Sequence, residues 1–346
     1  MNKKLIVTQI VLWSIIALFL IAILICASTG KGVPFVRFLP DIGKMEKVHE
    51  ETAAVTGVLK VALDFSSADI SIETTDENEL RVVQSSNGKL DPSEYVTISN
   101  EGGTLKITQE LSDALFLNFI RPQQKIALYL PKGYRNELSV KCTSGNLKVM
   151  SALELSSADF GMSSGDMTSE SPLNLEKAAI KTKSGNVTLG DLKCGTYDIG
   201  SVSGNVKASL MDGGGQILST SGNIAIGEIR GGEHLVKLKS GDISIGGFSG
   251  SGSIESSSGS VGISINEIDG SLDISATSGN ITADIAEELN AGMSLSCVSG
   301  DIKSNMDLSY GQDKKSARIE AAEGVPSSAL SLRTVSGNIE INSQGP

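Results

Sequence analysis

Apolar residues return along most of this chain on a period of about 19 residues, and each return carries the same polar corner. The tripeptide Ser-Gly-Asn/Asp/Ser begins at Ser144, Ser164, Ser184, Ser203, Ser221, Ser240, Ser258, Ser278, Ser299 and Ser336. Successive spacings run from 18 to 21 residues, except for a last one of 37, close to two periods. Four residues before these serines lie Val140, Phe160, Ile180, Ile199, Ile217, Val236, Ile254, Ile274, Leu295 and Leu332, all apolar. Three residues after them lie Leu147, Met167, Val187, Val206, Ile224, Ile243, Val261, Ile281, Ile302 and Ile339, again all apolar. Val149, Leu189, Ile226, Ile245, Ile263 and Ile341 follow two places on and keep the period-2 alternation of a half-buried strand. A third apolar position, ten or eleven residues before the serine, is held by Leu153, Leu173, Leu192, Leu210, Ile229, Phe248, Ile268 and Leu289.

One unit therefore reads as strand, corner, strand, short connection and a third strand-like piece. No unit can bury its own apolar side chains. Stacking equivalent positions buries them in one column. The pattern predicts an all-β chain: a single-stranded parallel β-solenoid (a β-helix) with regular coils over residues 136–346. With strands about 4.8 Å apart, ten coils stacked in sequence order would span roughly 50 Å.

The corner residues have the chemistry such a bend needs. Gly145, Gly165, Gly185, Gly204, Gly222, Gly241, Gly259, Gly279, Gly300 and Gly337 stand second, where a positive φ or a tight approach leaves no room for a Cβ. Asn146, Asp166, Asn186, Asn205, Asn223, Asp242, Asn280, Asp301 and Asn338 stand third, with Ser260 in the remaining corner. Their oxygens can bond nearby backbone, and stacked asparagines can form a ladder. Stacked aspartates would repel, and no two fall on successive marked coils. Corner aspartates raise the question of calcium, but the glycine-rich nonapeptide calcium repeat is absent. No metal and no cofactor is expected.

Upstream the pattern is eroded. Val61, Leu63 and Phe65 lead through Ser67-Ala68-Asp69 to Ile70 and Ile72, the same unit with Ala for Gly. Val96-Ile98 and Leu105-Ile107 flank Glu101-Gly102-Gly103 like a hairpin. Residues 51–135 are read as degenerate opening coils or hairpins that cap one end. Leu111 to Ile120 is a bulky apolar insert, either a lid on the column end or a patch for a partner or lipid. Residues 305–328 occupy the missing corner and are read as a degenerate coil with an extruded loop. Ile319 and Gly324 fall at the right offsets, and Glu323 replaces the serine. The chain stops soon after its last strand, so the C-terminal coil edge must be covered by that loop or by a partner, self-association included.

The N-terminus adds a membrane. Residues 5–27 carry no charge and are almost wholly apolar. As a helix they reach roughly 35 Å, enough for a hydrocarbon core of about 30 Å. A cleaved signal peptide is the rival, but its apolar region is shorter, and Ala27-Ser28-Thr29 is a poor cleavage site. The reading is a cytoplasmic stub at 1–4, a transmembrane helix at 5–27, a juxtamembrane linker at 28–50 and an extracytoplasmic solenoid.

Composition narrows the function. With 29 Lys and Arg against 40 Asp and Glu, the net charge is −11, which argues against nucleic acid. Only His49 and His234 could serve as imidazole bases. His234 falls at the repeat position of Leu138, Leu272 and Met293, as a packed residue would. Glu228, Glu255 and Glu267 are the carboxylates a glycosidase reading would need, and they are scattered. Cys26 lies in the anchor. Cys142 and Cys297 face inward eight coils apart, too far for a disulfide, and Cys194 lies in a connection. No catalytic site is expected.

An N-terminal helix, the strand exit Leu130-Pro131-Lys132-Gly133 and coils of Ser-Gly-Asn/Asp-Ile/Val together resemble the bacterial "putative adhesin" domain family of unknown function, also grouped as Toastrack domains. The resemblance covers about residues 55–345. It implies a β-solenoid displayed outside a bacterial membrane, some members being accessories of cell-envelope stress systems. It carries no catalytic motif. The expected function is a non-enzymatic binding or scaffold protein with an envelope protein or a polysaccharide as partner. A carbohydrate-active enzyme and a self-associating surface spacer are the alternatives.

Overall fold

The computed structural model of the protein describes residues 44–110, 122–319 and 328–344. The anchor expected at 5–27, the apolar insert at 111–120 and Gly324 lie outside them. No helix among the described residues is long and apolar enough to cross a membrane. These residues fall into two compact units. The smaller includes 44–46, 86–90 and 122–123, where Asn87 accepts the Gln123 amide through its Oδ1 at 2.8 Å. The larger holds the repeat.

Parallel in-register pairing builds the large unit. Val187 faces Val206, which faces Ile224, then Ile243, Val261 and Ile281. Ile180, Ile199, Ile217, Val236, Ile254 and Ile274 run alongside as a second column. Both columns are fully buried. A buried side chain of this size contributes about 1.5–3 kcal/mol, and none of it is realised until neighbouring coils meet. The third column differs in detail from the sequence reading. Leu192 faces Met211, not Leu210, and Phe248 faces Ile265. Leu210 faces Asp191 and Glu228 from a half-exposed place, and Leu289 is only partly buried. Turns that vary by a residue shift the inward position there.

The corners stack as a ladder of their own. All ten corner glycines have φ between 108° and 152°, a region that L side chains rarely adopt. A Cβ on Gly204 would collide with the carbonyl oxygen of Gly185 in the coil beneath. Beside them, each third-position oxygen accepts the backbone N–H of the next coil. Asp69 accepts from Asn146, Asn146 from Asp166, and Asp166 from Asn186. Asn186, Asn205 and Asn223 continue the series to Asp242. Ser260 takes its place in the series through its hydroxyl. What the ladder needs is an acceptor oxygen, which Asn, Asp and Ser all supply, Ser260 at a longer 3.4 Å.

The upstream residues complete one end. Lys60–Ser67 and Asp69–Thr75 form a full coil lying directly on the Gly145 coil. Next along, Thr104–Gln109 and Gln124–Pro131 pair with them in parallel. Val96–Glu101 then folds back antiparallel on Thr104–Gln109, forming the expected hairpin. The strand Glu46–Ala54 starts inside the segment read as linker. Three amides close this end. Gln84 and Gln109 both donate to Oε1 of Gln124, at 2.9 and 2.8 Å, and both donate to the Glu94 carbonyl.

At the other end the coil order departs from the sequence order. Ser271–Ser278 pairs not with Gly292–Ser299 but with Ala329–Ser336, which pairs in turn with Gly292–Ser299. Ile339–Gln344 is likewise held between Ile281–Ala286 and Ile302–Ser304. The corner ladder agrees: Asn280 accepts from Asn338, and Asn338 from Asp301. The last coil in sequence is therefore the penultimate coil in space. Its edges are both occupied, so the edge expected to need covering by the 305–328 loop or a partner belongs instead to Gly292–Ser299. Residues 309–319 are not a further coil either. Ser309–Tyr310 and Ser316–Ile319 pair antiparallel, and Ser316–Ile319 pairs antiparallel along the outer edge of Gly292–Ser299, Ile319 opposite Met293. Cys142 and Cys297 are accordingly nine coil steps apart rather than eight.

Candidate binding groove

One facet of the large unit is concave along its length. The residues responsible are the short stretch before the second buried column, where inward and outward positions alternate. The outward places hold Ser139, Asp159, Asp198, Gln216, Ser253 and Asp273 on one side, and Glu137, Ser157, Lys177 and Glu233 on the other. Between them runs the inward place, held in order by Leu138, Ala158, Ala178, Tyr197, Gly215, His234, Gly252 and Leu272. The groove so formed has a volume of about 1160 Å³ and crosses eight successive coils, each contributing the same backbone stretch.

Its floor contains an arrangement the sequence pattern does not announce. Tyr197 and His234 are two coils apart, and Gly215 stands between them. With no side chain at Gly215, the tyrosine hydroxyl reaches Nδ1 of His234 at 2.7 Å. His234 also meets the Phe248 ring edge-on. Both rings are buried. Burial holds the His234 ring below its ordinary value, so it is neutral at neutral pH, and burial pushes the Tyr197 phenol up. The signal that could have revealed the pair is the alternation of large ring and glycine at one column place: Tyr197, Gly215, His234, Gly252.

The walls are acidic. Glu137, Asp159, Asp198, Glu233, Asp269 and Asp273 face only Lys60 and Lys177. Asp198 is partly compensated, by Lys181 at 2.8 Å and by the Gln216 amide at 3.1 Å. Asp159, Glu233, Asp269 and Asp273 make no ion pair among the described residues. Across the neighbouring edge a smaller hollow of about 660 Å³ carries Lys141, Lys181 and Lys183 against Asp64. The facet thus divides into an acidic and a basic side.

His234 is placed as a core residue, with its Nδ1 committed to Tyr197. His49 lies elsewhere, stacked on Tyr95 and 3.3 Å from Glu51. Of the three carboxylates of the glycosidase reading, two are held in ion pairs. Glu228 holds Arg230 through both oxygens, at 2.6 and 2.7 Å, which keeps its carboxyl below the usual range. Glu255 pairs with Lys237 at 3.0 Å, and Glu267 stands opposite Ser249. Cys142, Cys194 and Cys297 are free and buried, and burial raises all three thiols, Cys194 to about 11. Among the described residues no cluster of His, Cys, Asp and Glu could hold a metal ion.

A family model described as Toastrack DUF4097 matches residues 58–235 and again 214–342. No curated protein matches the chain. Among solved structures, it is similar to a "putative lipid binding protein" of Parabacteroides distasonis, at 15% identity and a TM-score of 0.39, covering 86% of this chain and 96% of that one. It is similar also to a "putative adhesin" of Bacteroides fragilis, at 14% identity and 0.36, covering 87% and 98%. A "putative cell adhesion protein" of Clostridium sporogenes aligns at 11% and 0.25, covering 87% and 100%. Overlap this loose bears neither on the fold in detail nor on what is bound.

Proposed function

The chain belongs to the Toastrack DUF4097 family, and from that premise we propose a membrane-anchored, extracytoplasmic protein that binds an extended envelope polymer without turning it over. The observation that carries this reading is the groove. It repeats the same polar stretch once per coil across eight coils, so it offers equivalent contacts at intervals of about 4.8 Å and suits a chain-like ligand better than a compact one. Its hydroxyls (Ser157, Ser253) and its carboxylates outside any ion pair among the described residues (Asp159, Glu233, Asp273) favour a hydroxylated ligand with positive charge, an amine-bearing polysaccharide. The anchor at 5–27 would hold the groove at the membrane surface, and an accessory role in envelope stress would follow from reporting on that polymer. The enzyme alternative has less support, because Glu228 and Glu255 are each held in an ion pair, with Arg230 and Lys237.

The test is co-sedimentation of the full chain in detergent with partly deacetylated chitin, neutral dextran serving as control. The chain is expected to sediment with the amine-bearing polymer only. Asp159→Asn together with Asp273→Asn should weaken that association about tenfold and flatten its salt dependence. Equal retention of native and variant chains, or equal binding to dextran, would overturn the reading.

A further inference from the structure

The closing coils can be arranged in two ways with the same chemistry. In the observed order the Gly337 coil sits between the Gly279 and Gly300 coils. It has seven paired residues toward Ser271–Ser278 and seven toward Gly292–Ser299. Yet nothing in the corner chemistry distinguishes the three. A Cβ on Gly337 would strike the Gly279 carbonyl, and one on Gly300 would strike the Gly337 carbonyl, as in every sequential pair below them. The Gly279 amide donates to the Ser336 carbonyl and the Gly337 amide to the Ser299 carbonyl, the same bond in both steps. The interval from Ser278 to Ser299 is 21 residues, in line with the intervals of the sequentially stacked coils. With the Gly337 coil withdrawn, the Gly300 coil could close directly on the Gly279 coil.

The slot the Gly337 coil fills is lined by strands of the Gly279 and Gly300 coils, and the slot recognises a Ser-Gly-Asx strand by register and ladder, whichever chain supplies it. We propose that residues 329–344 exchange between two copies of this protein, each copy's C-terminal coil filling the slot between the Gly279 and Gly300 coils of the other. The reciprocal exchange keeps every ladder bond, so its cost is the loss of freedom on association alone. Eight residues (320–327) join Ile319 to Ser328, a length that reaches at most about 30 Å. A second observation points to the same end of the column. Val298, Val335 and Tyr310 are three of the seven large apolar side chains exposed among the described residues, and Val298 and Val335 are neighbours on the two closing coils. Exchange brings the closing ends of two copies together and gives these side chains a partner.

The experiment uses Ser294 and Ser331, outward-facing register partners on adjacent strands. At about 4.8 Å their Cα atoms lie within disulfide reach. Full chains carrying Ser294→Cys or Ser331→Cys are co-expressed in one cell, oxidised, and mapped by peptide mass spectrometry. A separate chain carrying both substitutions is treated alike. Exchange is expected to give covalent dimers joined between position 294 of one chain and 331 of the other. If the co-expressed pair yields no such link while the double variant closes within a single chain, insertion is strictly intramolecular and the proposal fails. If the double variant closes in neither way, the coil order itself is wrong and the proposal fails with it.

Discussion

From the Gly145 coil to the Gly279 coil every coil rests on its sequence neighbour, whereas above Gly279 the last coil in the chain comes before the one that precedes it. Both regions use the same unit, the same glycine conformation and the same acceptor ladder. The difference teaches that the repeat specifies what a coil can stack on, and not which coil it will be. In the middle, chain connectivity leaves one choice, because the next coil is always the nearest in sequence. At the end two coils compete for one place, and the outcome is set by edges. Insertion leaves the Gly300 coil outermost, where the antiparallel strand Ser316–Ile319 covers its exposed edge.

The largest expected effect sharpens this contrast directly. Gly204→Val places a side chain against the Gly185 carbonyl at φ 138° in the middle of the column. No flexible group can give way there. The expected cost is about 4 kcal/mol or more, seen as loss of the cooperative unfolding transition or of soluble protein. Gly300→Val carries the same clash, against Gly337, but at the outermost coil. It should release residues 292–319 to protease while the transition of the remaining coils survives. If both variants unfold alike, the column is one cooperative block and the two regions do not differ in stability.

How much of this was legible in the sequence divides along the same line. The ten corners, the two buried columns and the hairpin around Gly102 follow from periodicity, because apolar alternation and a Gly-Asx bend have local causes. The order of the Gly337 and Gly300 coils does not, because both carry identical signals and only pairing across 37 residues decides between them. The spacing of 37 was a hint that something other than a coil lay between, and Glu323 in place of the corner serine was another. The groove was invisible for a different reason. Its floor depends on Tyr197 and His234 meeting across a glycine, and a repeat analysis records each of them as one more occupant of an inward place.

That pair gives the next prediction. The neutral His234 ring is buried against Phe248 and Tyr197, and a protonated ring there would be without water. The unfolded chain therefore holds the proton more tightly than the folded one. The stability gained from the neutral ring is complete above the ordinary value of 6.5 and is lost as pH falls through the lowered folded value. Melting temperature should decline from pH 7.5 toward pH 5, and His234→Leu should flatten the decline. Tyr197→Phe should cost about 1–3 kcal/mol by leaving Nδ1 of the ring without a donor. A pH profile identical in native and His234→Leu chains would assign the decline to surface carboxylates instead.

The smallest effects test the ladder at single rungs. Asn205 accepts the Asn223 amide at 2.8 Å and donates its side-chain amide to Asn186 at 3.2 Å. Asn205→Ala removes the acceptor and should cost about 0.5–1.5 kcal/mol. Asn205→Asp keeps the acceptor between two asparagines and should cost less than the alanine. Asn186→Asp makes the same chemical change one coil away, but there it sets a carboxylate beside Asp166, whose Oδ1 already faces position 186 at 2.7 Å. That variant should be the less stable of the two aspartates, and added salt should narrow the gap, since exposed like charges are screened. If Asn186→Asp and Asn205→Asp are equally stable at low salt, charge spacing along the ladder has no part in its stability.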